Sequence, residues 1–524
     1  MKLERLPEYI TIVITIACGM FLALYVGMSA GTGSNQPLML IGGILAVMLA
    51  LILRANIWLL IPLCGTLYGR IGGIPGDFDV RQLTVFYVFA VYLTLKALKV
   101  VRTKPLYDWL DYLLLINLAY LLTVYIRNPV GTRTMGLEKI GGKPYVEVVI
   151  ALLGYWVFNH VTIPSKLAMR LPFLMILGSL FTTSVSLLCK LVPALTPVLS
   201  QIYSGFGAVQ AEDPSSPSPA DDSSISRESE WQGAGTGILK ALSSYFPPLS
   251  TLNPLHIVRF LLTILACAAI LKAGFRSVFI GWGFFFMLAS YFREGLASMM
   301  RIPALIVPLV CLLLVSHGTL FELPLNMQRT LSFLPGKWDP IAEMNAQESN
   351  EWRLEIWKTV WNSGDKYIKN WWFGDGFGMT QSDFREAMQA GSTGQENLTV
   401  AGDYHSLPLT TIHTVGYVGL TLFMIQMSGM TYYAWKLIQR AAGTPYFPLA
   451  LFVGIPVIYQ IIYGPLIFGA FKSAAPDCVY AIAWLRLISR SLDADCSKSK
   501  EESVKSEAFF PELEFPRFSR PPVS

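Results

Sequence analysis

Apolar runs long enough to cross a lipid bilayer recur along most of this chain. A spanning helix needs about 20 mostly apolar residues, because the hydrocarbon core is about 30 Å thick. Runs approaching that length lie at 9–29, 38–53, 55–70, 82–99, 108–126, 146–163 and 170–191. They resume at 255–273, 277–292, 302–318, 411–437, 446–470 and 474–489. The pattern predicts an all-α, polytopic helical membrane protein with about 12 (11–14) transmembrane helices.

Two polar segments interrupt it. The first, 194–250, contains AEDPSSPSPADDSSISRESE and has too little apolar surface to offset the entropy of ordering, which predicts a disordered polar loop. The second, 319–407, differs: it holds six Trp and a helix-like stretch EWRLEIWKTVWNSGDKYI. Its 12 Asp and Glu against 7 Lys and Arg leave a net charge of −5. This predicts one large, partly helical loop outside the membrane. The chain then divides into N-terminal transmembrane helices (1–193), the polar loop (194–250), further transmembrane helices carrying Arg293 (251–318), the large periplasmic loop (319–407), C-terminal transmembrane helices (408–490) and a disordered cytoplasmic tail (491–524).

Charge placement bears on sidedness. Lys2 and Arg5 precede an apolar run from Tyr9 to Met28 that is too long for a signal peptide and lacks an A-x-A cleavage site, so it reads as a first transmembrane helix. Loops around Lys96, Lys99, Arg102 and Lys104, around Lys166 and Arg170, and around Lys272 and Arg276 are basic and are expected in the cytoplasm. The 127–145 loop, with Arg127, Arg133, Lys139 and Lys143, breaks that rule. Counting conflicts with composition, since ten runs before Thr319 would leave the acidic loop inside. Either the 302–318 run, with Pro303 and Pro308, enters and leaves on one side, or a short early run does not span and some basic loops face outward.

Composition narrows the class. Of 524 residues, 53% are apolar or aromatic and 14% charged, with a mean hydropathy of +0.48. Soluble domains carry roughly 25% charged residues, so soluble cores, disorder and coiled coils are excluded. The seven Cys form no C-x-x-C and five lie in apolar runs, so neither a metal site, a cofactor nor a disulfide framework is expected. No nucleic-acid partner is expected either.

Few ionisable groups remain as candidates. Of five His, His160 and His317 read as packing or interfacial residues, and His256 stands beside Arg259 at a helix start. His405, in AGDYHSLPLTTIHTVGYVGL, lies where the large loop re-enters the membrane. A neutral imidazole there suits a general base, the alternative being an idle interfacial residue. His413 follows about two helical turns on and is either its neighbour on one face or a packing residue. Arg293 ends an apolar helix and either binds an anion or simply closes the helix beside Glu294. Arg353 precedes Trp357 by four residues, and its guanidinium either grips phosphate oxygens or pairs with Glu351 or Glu355. WWFGDGFGM supplies Gly374, Gly376 and Gly378 for tight turns, without the strand and helix of a dinucleotide site.

The order of these motifs resembles the O-antigen ligase and O-antigen polymerase superfamily. Arg293 corresponds to its S-R-G segment, Arg353 and Trp357 to R-x-x-x-W, Gly374 to Gly378 to its glycine turn, His405 to H-N-x-x-L, and Val415 to Leu420 to G-x-x-G-L. The resemblance covers 275–440 and departs at Glu294, where Gly is usual, at Ser406, where Asn is usual, and at His413, where an acidic residue is common.

It implies a metal-independent membrane glycosyltransferase of lipopolysaccharide or exopolysaccharide biosynthesis, in a bacterial inner membrane with its active site on the periplasmic face. The donor implied is a glycan on a polyprenyl (undecaprenyl) diphosphate, and the acceptor a glycan, a lipid A core or a protein hydroxyl, with membrane lipid around the chain. Direct attack would invert the anomeric centre. In that scheme Arg353 and Arg293 hold the diphosphate and His405 takes the acceptor proton. Trp357, Gly374, Gly376, Gly378 and His413 would line the substrate, while Trp352, Trp371 and Trp372 would stack on sugars or pack the loop. A polysaccharide or lipid transporter is the rival class, though no internal repeat supports it, and a non-catalytic membrane scaffold is a third.

Overall fold

A computed structural model describes residues 36–67, 69–71, 78–101, 107–130, 142–204, 228–377 and 402–509. The expected first helix at 9–29, the stretch 205–227, Gly378 and the tail beyond 509 lie outside the described residues. The named elements are all helices. They are α1 (Gln36–Leu53), α2 (Leu60–Cys64), α3 (Val80–Ala97), α4 (Trp109–Arg127), α5 (Lys143–Phe158), α6 (Leu171–Leu191), α7 (Ser229–Tyr245) and α8 (Ile257–Lys272). There follow α9 (Arg276–Glu294), α10 (Leu296–Ser316), α11 (Leu325–Leu331), α12 (Pro340–Asn362), α13 (Leu407–Ala441), α14 (Phe447–Leu466) and α15 (Phe471–Phe509), with short helical turns between some of them. Among the described residues six stretches are long and apolar enough to cross a membrane: Gly42–Cys64, Trp109–Arg127, Ser165–Leu191, Leu296–Ser316, Leu407–Ala441 and Phe447–Leu466.

Helix starts follow local chemistry. Asp79 accepts from the Gln82 amide while the Gln82 side chain accepts from the Asp79 amide, a reciprocal cap that begins α3. Asp108 and Asp111 begin α4 in the same way. Gly295, at φ 86°, is the single residue between α9 and α10, a conformation that glycine adopts without steric cost.

The helices run between two ends of one bundle. At the first, Arg276 at the start of α9 donates to the Ala346 carbonyl of α12 at 2.9 Å, and Lys472 at the start of α15 meets Asp403 at 2.7 Å. At the second, Arg293 at the far end of α9 donates to the Ser243 carbonyl at the end of α7 at 3.2 Å, and Tyr446 before α14 donates to the Ile163 carbonyl at 2.7 Å. Lys96 lies at that second end, 2.6 Å from His160. Between the ends, Arg486 of α15 meets Asp111 of α4 at 3.1 Å and Asp108 at 2.9 Å, and Tyr155 donates to Asp111, so this buried charge is paired.

Several expectations are corrected. The polar loop predicted through 250 contains α7, which packs against α6, α8, α9 and α14. Gly235 explains why: a Cβ there would lie 2.7 Å from the Ala266 carbonyl, so α7 approaches α8 as closely as backbone permits. Such a helix gains from contact rather than from hydropathy, and an apolar scan passes over it. The 302–318 run belongs to α10, one continuous helix through Pro303 and Pro308 rather than an entry and return on one side. Lys272 and Arg276 sit at the opposite end from Lys96, not beside it, because α8 and α9 meet at the α12 end. The tail expected from 491 is helical through Phe509, its beginning tied down by the Arg440–Asp493 pair and by Tyr446 donating to Asp495 at 2.7 Å.

Candidate functional site

The site lies where α12, the start of α13 and the α14–α15 turn converge. A small apolar cluster of Ile356, Val360, Ile368, Tyr404, Leu409 and Ile412 joins α12 to the segment entering α13. Tyr404 is fully buried, and that burial pushes its phenol well above the usual tyrosine range. The indole of Trp357 donates to the Tyr404 carbonyl at 2.8 Å. His405 follows in a left-handed conformation, φ 49°, uncommon for a residue with a side chain. Its half-buried ring lies between Trp352, with centroids 5.3 Å apart, and Phe468, stacked at 5.5 Å. Arg353, one residue after Trp352, places its guanidinium 5.8 Å from the same Phe468 ring. His405 and Arg353 are therefore brought to one place from positions 52 residues apart in sequence.

Arg293 is not there. It ends α9, where its guanidinium takes the last carbonyls of α7, Ser243 and Ser244, and lies 5.1 Å from the Phe447 ring at the start of α14. Phe468 lies just past the other end of α14, and a helix of 20 residues is about 30 Å long. Arg293 thus stands across the bundle from His405 and serves as a cap on unpaired carbonyls.

The arginine at the right end of α9 is Arg276, which by sequence alone is only a basic loop residue. It donates to the Ala346 carbonyl and, at 3.2 Å, to the Asn350 side chain. Ala346, Asn350 and Arg353 are spaced four and three residues apart, one face of α12. Arg276 and Arg353 therefore approach the same face. The available signal was that an apolar helix with an arginine at each terminus shows only one of them to a given membrane surface.

The glycine turn holds the helix rather than opening a pocket. α13 breaks at Gly416, φ 70°, and Gly374 and Gly376 take φ 79° and 88°. The carbonyls of His413 and Thr414 accept from the amides of Asp375 and Gly376 at 2.8 and 2.9 Å. The amides of Tyr417 and Val418 donate to the carbonyls of Trp371 and Trp372 at 2.8 and 3.2 Å. Two interrupted rungs of the α13 ladder are thus replaced by loop backbone. Tyr120 satisfies the next carbonyl, Val415, at 2.9 Å.

His413 sits behind this plug, buried, its ring 5.7 Å from Tyr404. A Cβ on Gly402 would lie 2.6 Å from that ring, so His413 fills the space under the turn before His405. The structure gives it packing contacts, and Trp357 a hydrogen bond to backbone, where the motif had suggested substrate contact. Asp403, Lys472 and Phe468 also lie around His405, and no spacing in the sequence relates 468–472 to it.

Residues 260–424 match the model of the O-antigen ligase family. The match covers α9, α12, the 371–377 plug and the break in α13, which is the region whose motifs carry the resemblance. No curated protein matches the chain.

Proposed function

We propose, from the O-antigen ligase segment at 260–424, that this multi-pass helical membrane protein transfers a glycan from a polyprenyl diphosphate carrier to an acceptor hydroxyl at the His405 end of its bundle. The single observation that supports the reading most is the meeting of His405 with Arg353 on the shared Phe468 ring.

The donor carries a negative diphosphate on its anomeric carbon. Arg353, with Arg276 arriving on the same face of α12, would bind the diphosphate oxygens and stabilise the charge that grows as the carbon–oxygen bond breaks. Preorganised cations outside bulk water are worth several kcal/mol in such a role. His405 would accept the proton of the attacking hydroxyl, a contribution of about 10²–10⁴-fold. The hydroxyl oxygen forms the new bond on the side opposite the leaving diphosphate, and the configuration inverts. Two fixed guanidinium groups give the leaving group its counter-charge, so the scheme runs without a metal ion.

The described part of the acidic 319–407 segment lies at the His405 end, together with Lys272 and Arg276, and the opposite end carries Lys96, Arg440 and Arg490. We assign the His405 end to the periplasmic face of a bacterial inner membrane on that asymmetry. The acceptor, whether growing polysaccharide, lipid A core or a protein hydroxyl, is the step that distinguishes polymerase from ligase.

The test is complementation of cells lacking this chain, with membrane levels matched and glycan ladders read on gels. Arg353→Ala, Arg276→Ala and His405→Asn should each abolish extension or ligation. Full-length product from all three variants would defeat the proposal.

A further inference from the structure

His405 is held in a backbone conformation it would not keep by itself, so what holds it matters. A left-handed residue with a side chain persists only where its surroundings over-determine it. Several attachments bear on it. The ring is confined between Trp352 and Phe468. The preceding carbonyl is held by Trp357. The third attachment is an ion pair outside every motif: Asp403, two residues before His405, accepts from Lys472 at 2.7 Å.

Lys472 is the second residue of α15 and lies four residues beyond Phe468, so one short segment grips both the imidazole and the turn that carries it. That segment is itself fixed, because the amide of Phe471 donates to the Thr410 hydroxyl in the first turn of α13 at 3.0 Å. Asp403 keeps 14% of its side-chain surface and Lys472 45%. The carboxylate is therefore largely withdrawn from water, and its partner cannot be lost as freely as in an exposed pair.

We propose that Lys472, through its ion pair with Asp403, is a positioning residue that fixes His405 in its left-handed conformation with the imidazole between Trp352 and Phe468. The proposal rests on the reading of His405 as the base. It assigns α15 a part in the site although α15 lies beyond the matched segment. Lys472 acts on the proton-accepting geometry and does not itself hold the donor.

The experiment uses the full chain in proteoliposomes, with lipid-linked glycan extracted from the host membrane as donor and the host's acceptor fraction, and folding checked by size exclusion. Lys472→Met should lower kcat about tenfold or more, with an apparent KM for the extract within about twofold of wild type. Lys472→Arg should restore most of the lost turnover. Asp403→Asn should match Lys472→Met, and the double variant should be no worse than either, the signature of a single shared interaction. An unchanged kcat in Lys472→Met, or a loss confined to KM, overturns the positioning role. His405→Asn separates the two ideas, since Asn tolerates the left-handed conformation but cannot act as the base. Wild-type turnover in that variant removes the base assignment itself, whereas its inactivity beside a fully active Lys472→Met removes only the part assigned to Lys472.

Discussion

The indole Nε1 of Trp357 donates to the carbonyl of Tyr404 at 2.8 Å, so the aromatic end of the R-x-x-x-W motif holds the backbone next to His405. Arg353 and Trp357 are one helical turn apart on α12, so under the proposed function the motif would couple a cation for the diphosphate to an anchor for the base.

Replacing Trp357 by Phe keeps most of the apolar contact and removes the donor. A hydrogen bond of this kind is worth about 1 kcal/mol net. Transfer should fall by about 3–30-fold without loss of folded protein, as measured by glycan ladders against membrane protein level. Wild-type ladders from Trp357→Phe would show that the anchor is dispensable.

Arg293→Ala should behave in the opposite way. It leaves the Ser243 and Ser244 carbonyls at the end of α7 without their cation, and buried acceptors deprived of a partner cost about 1–3 kcal/mol each. Detergent-solubilised protein should melt several degrees lower, while transfer per folded molecule stays near wild type. Loss of activity at unchanged melting temperature would return Arg293 to the chemistry.

That contrast marks what the sequence could express. The series of motifs was legible because each depends on neighbours along the chain. The choice between Arg276 and Arg293 was not, since both terminate one apolar helix and only packing against α12 or α7 tells the ends apart. α7 was hidden for a related reason: its stability comes from glycine contacts with α8 that leave no mark in hydropathy. His413 looked like a neighbour of His405 by spacing, but His405 precedes α13 in a left-handed turn whereas His413 is buried within α13 against Tyr404 and Gly402.

Gly374→Ala and Gly416→Ala should each prevent accumulation of folded protein. Either Cβ would fall on backbone, Thr414 and Val415 in the first case and Trp372 and Phe373 in the second, in conformations with φ 79° and 70°. Backbone cannot give way as a flexible side chain does. Fluorescence size exclusion reads the outcome, and a monodisperse peak at wild-type yield would contradict the plug.

Sidedness can be read chemically. With the seven native cysteines replaced by serine, Glu351→Cys on the exposed surface of α12 should react with a membrane-impermeant thiol reagent from the periplasmic side. Ala442→Cys, exposed in the turn between α13 and α14, should react only after the membrane is opened. The reverse pattern would invert the proposed orientation.

The exchange of hydrogen bonds at Gly416 has a consequence for how this protein is made and for what can be cut from it. The ribosome delivers 371–376 before 407–441, so the loop backbone is already at hand when the broken helix needs it. A version of α13 inserted without that segment would face the bilayer with bare amides and carbonyls, a state hydrocarbon does not tolerate. The 371–376 segment is therefore not a detachable module on a finished membrane domain. Chimaeras that swap it between related proteins should join outside 371–418, so that plug and helix travel together.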